Sequence, residues 1–260
     1  MISGGFTRPR DRIAEGERIC SEMGFEPFGA PSFDPVRGDK EVFDEIEEVL
    51  SSGEAYFTLF ASITAVEECV DEYGKEKLLA LLEKTNVACT GSSTEKVLKR
   101  LTGRDTDLVP EVYSGVGVAE EIADEVAYQT VGVLLRSAGG DGKIVDILEK
   151  AHAKVLDEPV YDMVPAQICE DTEELLEKTE SGTLDALLMT SPNSFLVFYG
   201  QMPDRFGKDR TDEALRKTFK VAIGRPTAES MSKAGMPCDT IAETSTFEGM
   251  LETVKKKFAL

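Results

Sequence analysis

Four short stretches of small polar residues in this 260-residue chain have the composition of anion-binding turns. Each is expected where a buried strand gives way to a helix, so that a glycine or a hydroxyl group stands beside the free backbone N–H groups of the helix start. A ligand carboxylate can bind at such a place. Because Ser and Thr also cap helices when nothing binds, capping alone is the alternative. The stretches are Ala61-Ser62-Ile63-Thr64, Gly91-Ser92-Ser93-Thr94, Thr190-Ser191-Pro192-Asn193-Ser194 and Gly224-Arg225-Pro226-Thr227.

Two arginines and one tyrosine are further candidates for a binding or reactive role. Arg8 and Arg136 each directly follow a predicted strand, where a guanidinium group can pair with a carboxylate through two parallel hydrogen bonds. A local salt bridge at a helix start is the alternative. Tyr161 lies in an extended segment, and its phenol can donate a hydrogen bond to a ligand. The alternative there is an aromatic ring that only packs against the core.

These residues need a scaffold, and the alternation of strand and helix patterns along the chain predicts parallel sheets covered by helices on both faces. The stretch 203–207 is expected to be a loop. Two extended segments, near 30–37 and 157–165, lack a helical pattern, and we interpret them as connectors between two lobes. The predicted strands are 2–6, 55–60, 87–90, 109–113, 131–135, 184–189, 219–223 and 240–242.

The chain resembles itself when it is shifted by about half its length. This period is too long for a solenoid, whose repeats run to about 20–50 residues. It predicts a duplicated α/β unit, and therefore two similar lobes with a ligand cleft between them. At a shift of 128 the matched pairs are Arg8 with Arg136, Pro31 with Pro159 and Phe33 with Tyr161, and at a shift of 129 Ser62 meets Ser191.

Composition narrows the class of protein. With 49 acidic against 29 basic residues the formal net charge is −20, so nucleic acid and anionic membranes are not expected partners. The chain has no apolar stretch of about 20 residues and no signal-peptide pattern, and its five scattered cysteines are typical of a reducing cytoplasm. His152 is the only histidine, which disfavours a histidine base and most transition-metal sites. Nucleotide-binding motifs are also missing.

The sequence carries, in this order, Thr7-Arg8-Pro9, Val160-Tyr161, Thr190-Ser191-Pro192-Asn193-Ser194 and the segment Ala222–Met231. In residue type, order and spacing these segments resemble the motifs of the uroporphyrinogen-III synthase family, and the resemblance extends over nearly the whole chain. Two positions depart from the family pattern. The turn at Ser62 lacks the T-S-P form, and Arg225 replaces a residue that is usually proline or small.

The resemblance implies an α/β protein of two flavodoxin-like lobes with parallel sheets, a two-stranded linker and a cleft between the lobes. One lobe would be discontinuous, residues 1–35 plus 166–260, and the other would be 38–158. The implied enzyme is a cyclising lyase of tetrapyrrole and heme biosynthesis. It would close hydroxymethylbilane, a linear tetrapyrrole, into uroporphyrinogen III with inversion of ring D and release of water, without metal or cofactor.

Within this resemblance Tyr161 is the expected proton donor, and the strand-end turns with the two arginines are expected to hold the substrate carboxylates. We expect a cytoplasmic monomer. The alternative is a two-lobed binding or regulatory protein that takes up a small anion or a tetrapyrrole without chemistry. The expected substrate-binding residues are Arg8, Ser62, Gly91, Ser92, Ser93, Thr94, Arg136, Ser191, Asn193, Ser194, Gly224 and Thr227.

Overall fold

The computed structural model describes residues 1–126, 131–140 and 142–259. Its strands are β1 (Ile2–Arg8), β2 (Phe25–Pro31), β3 (Phe33–Arg37), β4 (Ala55–Phe60), β5 (Asn86–Cys89), β6 (Val131–Ser137), β7 (Lys154–Pro165), β8 (Ala186–Met189), β9 (Phe219–Ala222) and β10 (Thr240–Ile241). Its helices are α1 (Ile13–Glu22), α2 (Lys40–Ser52), α3 (Ile63–Leu82), α4 (Ser92–Thr102), α5 (Gly115–Ile122), α6 (Lys143–Lys150), α7 (Glu170–Ser181), α8 (Pro192–Phe206), α9 (Lys208–Lys217), α10 (Arg225–Lys233) and α11 (Phe247–Phe258).

The chain folds into two compact units. The first unit consists of Met1–Asp34 and Val164–Leu260, and the second unit is Pro35–Met163. The chain passes from one unit to the other within β3 and returns within β7, inside the two extended segments that the sequence singles out. Each unit contains one five-stranded sheet.

The sheet of the first unit has the strand order β2-β1-β8-β9-β10, and its neighbouring strands run parallel. Numbered within the unit, this is the 2-1-3-4-5 order of flavodoxin-like sheets. Strand β1 lies between β2 and β8, and its last residue, Arg8, is in register with Pro31 of β2. Parallel strands end at the same edge of a sheet, so the residues that follow β1, β8, β9 and β10 are brought to one edge.

The sheet of the second unit repeats four of these strand positions, has β3 as an additional edge strand and ends with β5, where the first sheet continues to β10. Its order is β3-β7-β6-β4-β5, in which β6 lies between β7 and β4 as β1 lies between β2 and β8. The pairs β7–β6, β6–β4 and β4–β5 are parallel. Arg136 of β6 is in register with Pro159 of β7, just as Arg8 is with Pro31. The strands that carry the matched residues of the shifted sequence therefore occupy equivalent places in the two sheets.

Each sheet is buried on both faces because its central strands are apolar throughout. In β8, Leu187 and Met189 pack into one cluster, whereas Ala186 and Leu188 pack into another on the opposite face. The second unit behaves in the same way, with two clusters built on the alternating residues of β4. Such strands form a rigid support for the turns at their ends. Among the described residues, no helix is long and apolar enough to span a membrane.

The sequence-based expectation of a strand at 109–113 is wrong. No strand forms at 109–113. An isolated bridge joins Leu108, just before the segment, to Ala88, and Val112 and Tyr113 are exposed. Pro110 has no N–H to donate to a neighbouring strand, so the segment turns away into α5. The bridge at Leu108 nevertheless stands beside β5 in the place that β10 takes beside β9.

The expected loop at 203–207 is also wrong, because Pro203 lies inside α8, which continues to Phe206. The apolar face of this helix explains the extension, since Phe195, Phe198 and Met202 are all buried. The helix ends only at Gly207, whose φ of 82° lies in the left-handed region that favours glycine.

Candidate functional site

In the second unit, each of three helices follows the carboxyl end of a chain segment that belongs to the sheet. Ser62, Gly91 and Ser114 are the N-cap residues of α3, α4 and α5. The Ser62 Oγ accepts a hydrogen bond from Ala65 N at 3.1 Å, and the Ser114 Oγ accepts one from Gly117 N at 2.9 Å. Gly91 has no side chain with which to cap its helix, so the first N–H groups of α4 remain available for a ligand.

The first unit contains the same series of helix starts. Ser191, Gly224 and Thr246 are the N-cap residues of α8, α10 and α11. The Ser191 Oγ accepts a hydrogen bond from Ser194 N at 3.0 Å, and the Thr246 Oγ1 accepts one from Gly249 N at 3.0 Å. Both units therefore present a hydroxyl cap, a bare glycine cap and a second hydroxyl cap in chain order. This arrangement is suited to binding several carboxylates through backbone N–H groups.

The third turn of each unit, at Ser114 and at Thr246, is missing from the sequence-based set of site residues. A signal was present, because Ser114-x-x-Gly117 and Thr246-x-x-Gly249 match at a shift of 132. An added Cβ on Gly117 would lie 2.2 Å from the Val112 carbonyl oxygen, and one on Gly249 would lie 2.3 Å from the Thr244 carbonyl oxygen. Both turns need glycine because the helix start lies against the preceding backbone.

The expected binding residues of the glycine turns divide into accessible and buried ones. Ser92 and Ser93 retain exposed surface at the start of α4, whereas Thr94 is buried with 6% of its surface exposed. Thr227 is likewise buried, with 2% exposed. Side chains so deeply buried contribute to packing of the turn.

Tyr161 and Ser62 are brought together by the fold although 99 residues separate them. The phenol oxygen of Tyr161 lies 2.9 Å from the Ser62 Oγ, within hydrogen-bonding distance, and the ring is 8% exposed. Both residues line a depression of about 330 Å³, here called the Tyr161 pocket. It is lined by Ala61, Ser62, Thr90, Tyr113, Ser114, Gly115, Arg136, Ser137, Gly140, Ile144 and Tyr161. The pocket lies wholly within the second unit and contains a phenol that is able to donate a proton.

In the first unit the equivalent place holds aliphatic hydroxyl groups instead of a phenol. The Ser191 Oγ donates to the Ser194 Oγ at 2.8 Å, and the Ser194 Oγ lies 3.0 Å from the Ser32 Oγ. Ser194 and Ser32 are buried, whereas Asn193 is exposed. Phe33, which matches Tyr161 in the shifted sequence, has no hydroxyl group. The two units thus share a scaffold and differ in chemistry.

The two arginines occupy matching register positions but have different partners. The Nε and Nη2 atoms of Arg136 donate to the two carboxylate oxygens of Asp157, at 2.5 and 2.6 Å. The Nη2 of Arg8 lies 3.4 Å from Glu15, and its guanidinium group lies 5.1 Å from the centre of the Phe247 ring. The Arg8 Nη1 is buried and has no hydrogen-bond partner among the described residues. Arg8 therefore retains one guanidinium N–H group that has no acceptor among the described residues.

Among the described residues, no three His, Cys, Asp or Glu side chains lie close enough together to hold a metal ion. Burial raises the pKa of the Cys20 and Cys89 thiols to about 12. Both thiols therefore stay protonated at neutral pH and pack as small apolar side chains.

The fold and these helix starts define a class, that of two-unit α/β proteins whose helices begin at the carboxyl ends of parallel strands. A family model described as uroporphyrinogen-III synthase HemD matches residues 14–252. The chain belongs to this family, which is a family of cyclising lyases. The family resemblance and the α/β fold class inferred from the sequence are both confirmed.

Named relatives agree with this assignment. The porphyrin biosynthesis protein HemD of Ruminiclostridium josui is 25% identical over 249 residues, 95% of this chain and 46% of that protein, so the chain spans about half the length of this relative. A putative uroporphyrinogen-III synthase of Archaeoglobus fulgidus is 26% identical over 254 residues, 96% of each chain. The crystal structure of uroporphyrinogen-III synthetase from Helicobacter pylori, at 16% identity, superposes with a TM-score of 0.65 over 99% of this chain and 100% of that chain, which shows the shared fold.

The tight turn before α5 generates a test of the site's framework. Gly117→Ala places a methyl group 2.2 Å from the Val112 carbonyl oxygen, so the backbone must shift, and we expect the free energy of unfolding to fall by about 1–3 kcal/mol. The matched control is Gly200→Ala in α8, where an added Cβ meets nothing within 4 Å. Alanine there should be neutral or should stabilise by up to about 1 kcal/mol. Urea unfolding measures both changes, and an unaltered stability of Gly117→Ala would contradict the close approach.

Proposed function

We propose that this protein converts hydroxymethylbilane into uroporphyrinogen III and water, as the family to which it belongs implies. The observation that carries the proposal is the Tyr161 pocket, where a phenol 2.9 Å from the Ser62 hydroxyl stands among the helix starts of the second unit. We propose further that the protein works as a cytoplasmic monomer without metal or cofactor. The free cysteines and the net charge of −20 are compatible with that setting.

The first step is loss of the terminal hydroxyl group. Hydroxide is a poor leaving group, so the hydroxymethyl oxygen takes a proton from the Tyr161 phenol as its bond to carbon breaks, and water departs. The electron pair of the pyrrole nitrogen of ring A replaces the broken bond, which leaves an azafulvene cation. Ser62, hydrogen-bonded to Tyr161, stabilises the phenolate that this step produces.

The next steps form and break carbon–carbon bonds without any external oxidant or reductant. Ring D attacks the cationic methylene of ring A through its already substituted carbon, which gives a spiro intermediate. The older bond from that carbon then breaks and leaves an azafulvene cation on ring C. Ring D closes onto this cation through its free carbon and is thereby reversed. Loss of a proton from that carbon restores the aromatic ring and balances the proton given by Tyr161.

Positioning supplies most of the required rate enhancement in this account. The substituted carbon of ring D must reach ring A before the unsubstituted carbon does, because direct closure gives the symmetric isomer I. Holding the two ends of a flexible chain in the productive geometry is a proximity effect. The protein controls this geometry by binding the multiple carboxylates of the substrate.

The glycine-capped helix starts at Gly91 and Gly224 would hold these carboxylates through backbone N–H groups. Arg8, with its buried and unpartnered Nη1, would add a charged donor in the first unit. Arg136 is paired with Asp157, so its carboxylate-binding role requires that it share its guanidinium group with a second acceptor. Ser62, Ser191 and the other expected residues of the turns complete the proposed contacts.

The proposal is tested by incubating the protein with hydroxymethylbilane and separating the porphyrin isomers after oxidation of the products. We expect isomer III to predominate, because only an enzyme that reverses ring D produces it. Formation of isomer I alone, at a rate no higher than that of the spontaneous closure, would refute the proposed activity. That result would favour the two-lobed binding protein that the sequence leaves open.

The role of Tyr161 yields a separate prediction. Tyr161→Phe removes the proton donor and leaves the ring, so kcat should fall by about 10-fold or more while the free energy of unfolding changes little. Tyr56→Phe is the matched control, because Tyr56 lies at the opposite end of β4 from Ser62 and is exposed. Initial rates of isomer III formation measure the effect. If Tyr161→Phe turns over at the rate of the control variant, Tyr161 is not the proton donor.

A further inference from the structure

Tyr113 has a large aromatic side chain that is mostly exposed to solvent. Its exposed fraction is 67%, and that of the adjacent Val112 is 68%. The two residues follow the isolated bridge at Leu108 and precede the N-cap residue Ser114. Exposed aromatic surface beside a binding site commonly contacts a ligand, because exposure of apolar surface to water is unfavourable.

The position of Tyr113 is fixed by the glycine turn of the same unit. An added Cβ on Gly91 would lie 3.6 Å from the Cβ and the Cγ of Tyr113, which is ordinary van der Waals contact. The base of the tyrosine side chain therefore rests on the backbone at the start of α4. Tyr113 also lines the Tyr161 pocket, together with Ser62 and Tyr161. One depression thus combines an aromatic wall, a phenol and helix N–H groups.

The size of the Tyr161 pocket limits what it can take. Its volume of about 330 Å³ is near the lower end of the range for ligand pockets, about 300–1,000 Å³. A pyrrole ring with its two carboxylate arms suits this space, whereas a complete tetrapyrrole exceeds it. The rest of a tetrapyrrole would extend beyond the pocket.

The first unit has neither an exposed aromatic side chain nor a phenol hydroxyl at the equivalent positions. Ser245 precedes the N-cap residue of α11 as Tyr113 precedes that of α5, and its Oγ would lie 3.5 Å from an added Cβ on Gly224. Phe33 takes the place of Tyr161. Within a duplicated scaffold, the aromatic wall and the proton donor therefore occur together in the second unit, at one pocket.

We propose that Tyr113 holds the pyrrole ring that carries the hydroxymethyl group, with the ring of Tyr113 packed against the face of the pyrrole. This inference rests on the proposed function, because Tyr161 in the same pocket is the donor to that hydroxyl group. When the hydroxyl group leaves, the pyrrole becomes a cation. The face of an aromatic ring attracts a cation within about 6 Å, so the contact strengthens as the reaction proceeds. Tyr113 would then be a binding residue that also lowers the barrier to ionisation.

Three variants of Tyr113 separate this role from simple hydrophobic contact. Tyr113→Leu keeps an apolar side chain without a π face, and Tyr113→Ser copies the first unit. We expect each to lower kcat for isomer III by about 10-fold, as loss of a cation–π contact implies, and to raise the share of isomer I because the ionised ring is held less firmly. Tyr113→Phe, which retains the aromatic face, should recover most of the lost rate. The thermal stability of all three should match the wild type, because Tyr113 is exposed.

The matched control is Tyr56→Leu, a change of the same kind at another exposed tyrosine of the second unit, and it should leave rate and isomer ratio unaltered. A wild-type protein that makes isomer III, together with a Tyr113→Leu variant of equal kcat and equal isomer ratio, would overturn the inference and leave the proposed function standing.

A second measurement keeps the inference testable if the wild-type protein makes no isomer III. Porphobilinogen, a single pyrrole with an acetate and a propionate arm, is titrated into the wild type, Tyr113→Leu and Tyr56→Leu, and binding is followed by broadening of the ligand's NMR signals. Weaker binding to Tyr113→Leu alone supports the pyrrole contact independently of any reaction. Equal binding to all three proteins, or no binding to any of them, overturns it.

Discussion

The constraint on which the site depends is the parallel direction of the strands. Because β4 and β5 run in the same direction, the helices that follow them begin at one edge of their sheet, and the same holds for β8, β9 and β10. Each helix start carries unpaired N–H groups and a partial positive charge of about half an elementary charge. In the proposed function, fixed dipoles at this edge would allow a chain of net charge −20 to bind a polyanion, because the more distant surface carboxylates are screened over about 8–10 Å.

Because the α/β unit is duplicated, each unit has such an edge of helix starts. The residues at the two edges differ in their chemistry. Hydroxyl and glycine caps follow one another in the same order in both units. In the second unit the first hydroxyl cap, Ser62, bonds to a phenol, whereas in the first unit the corresponding Ser191 bonds to Ser194 in a series of aliphatic hydroxyls. An aliphatic hydroxyl is a much weaker acid than a phenol, so we propose proton donation for the second unit and carboxylate binding for both.

The sequence predicts those features that depend on local pattern. Entirely apolar strands such as β8, bounded by polar turns, indicate a parallel sheet buried on both faces, and the matched turns indicate the helix starts. Features that depend on distant residues escape prediction. The pairing of Arg136 with Asp157 joins neighbouring strands and removes a donor that appeared free in the sequence. The segment around Val112 has a strand-like composition, but Pro110 and the bend into α5 leave it without strand partners and expose Tyr113. The turn at Ser114 is a local feature whose Ser-x-x-Gly pattern is matched at Thr246-x-x-Gly249, but only the structure shows that Gly117 lies against the Val112 carbonyl.

We propose that backbone dipoles, and not clustered cationic side chains, bind the substrate. The salt dependence of substrate capture tests this directly. The measurement is kcat/KM for hydroxymethylbilane over roughly 0.05–0.5 M NaCl, a range in which screening lengths shorten from above 10 Å to about 4 Å. A net charge of −20 repels the substrate at long range, so kcat/KM should stay level or rise with salt. A fall of about 10-fold or more, as attraction by a basic surface would produce, would contradict it.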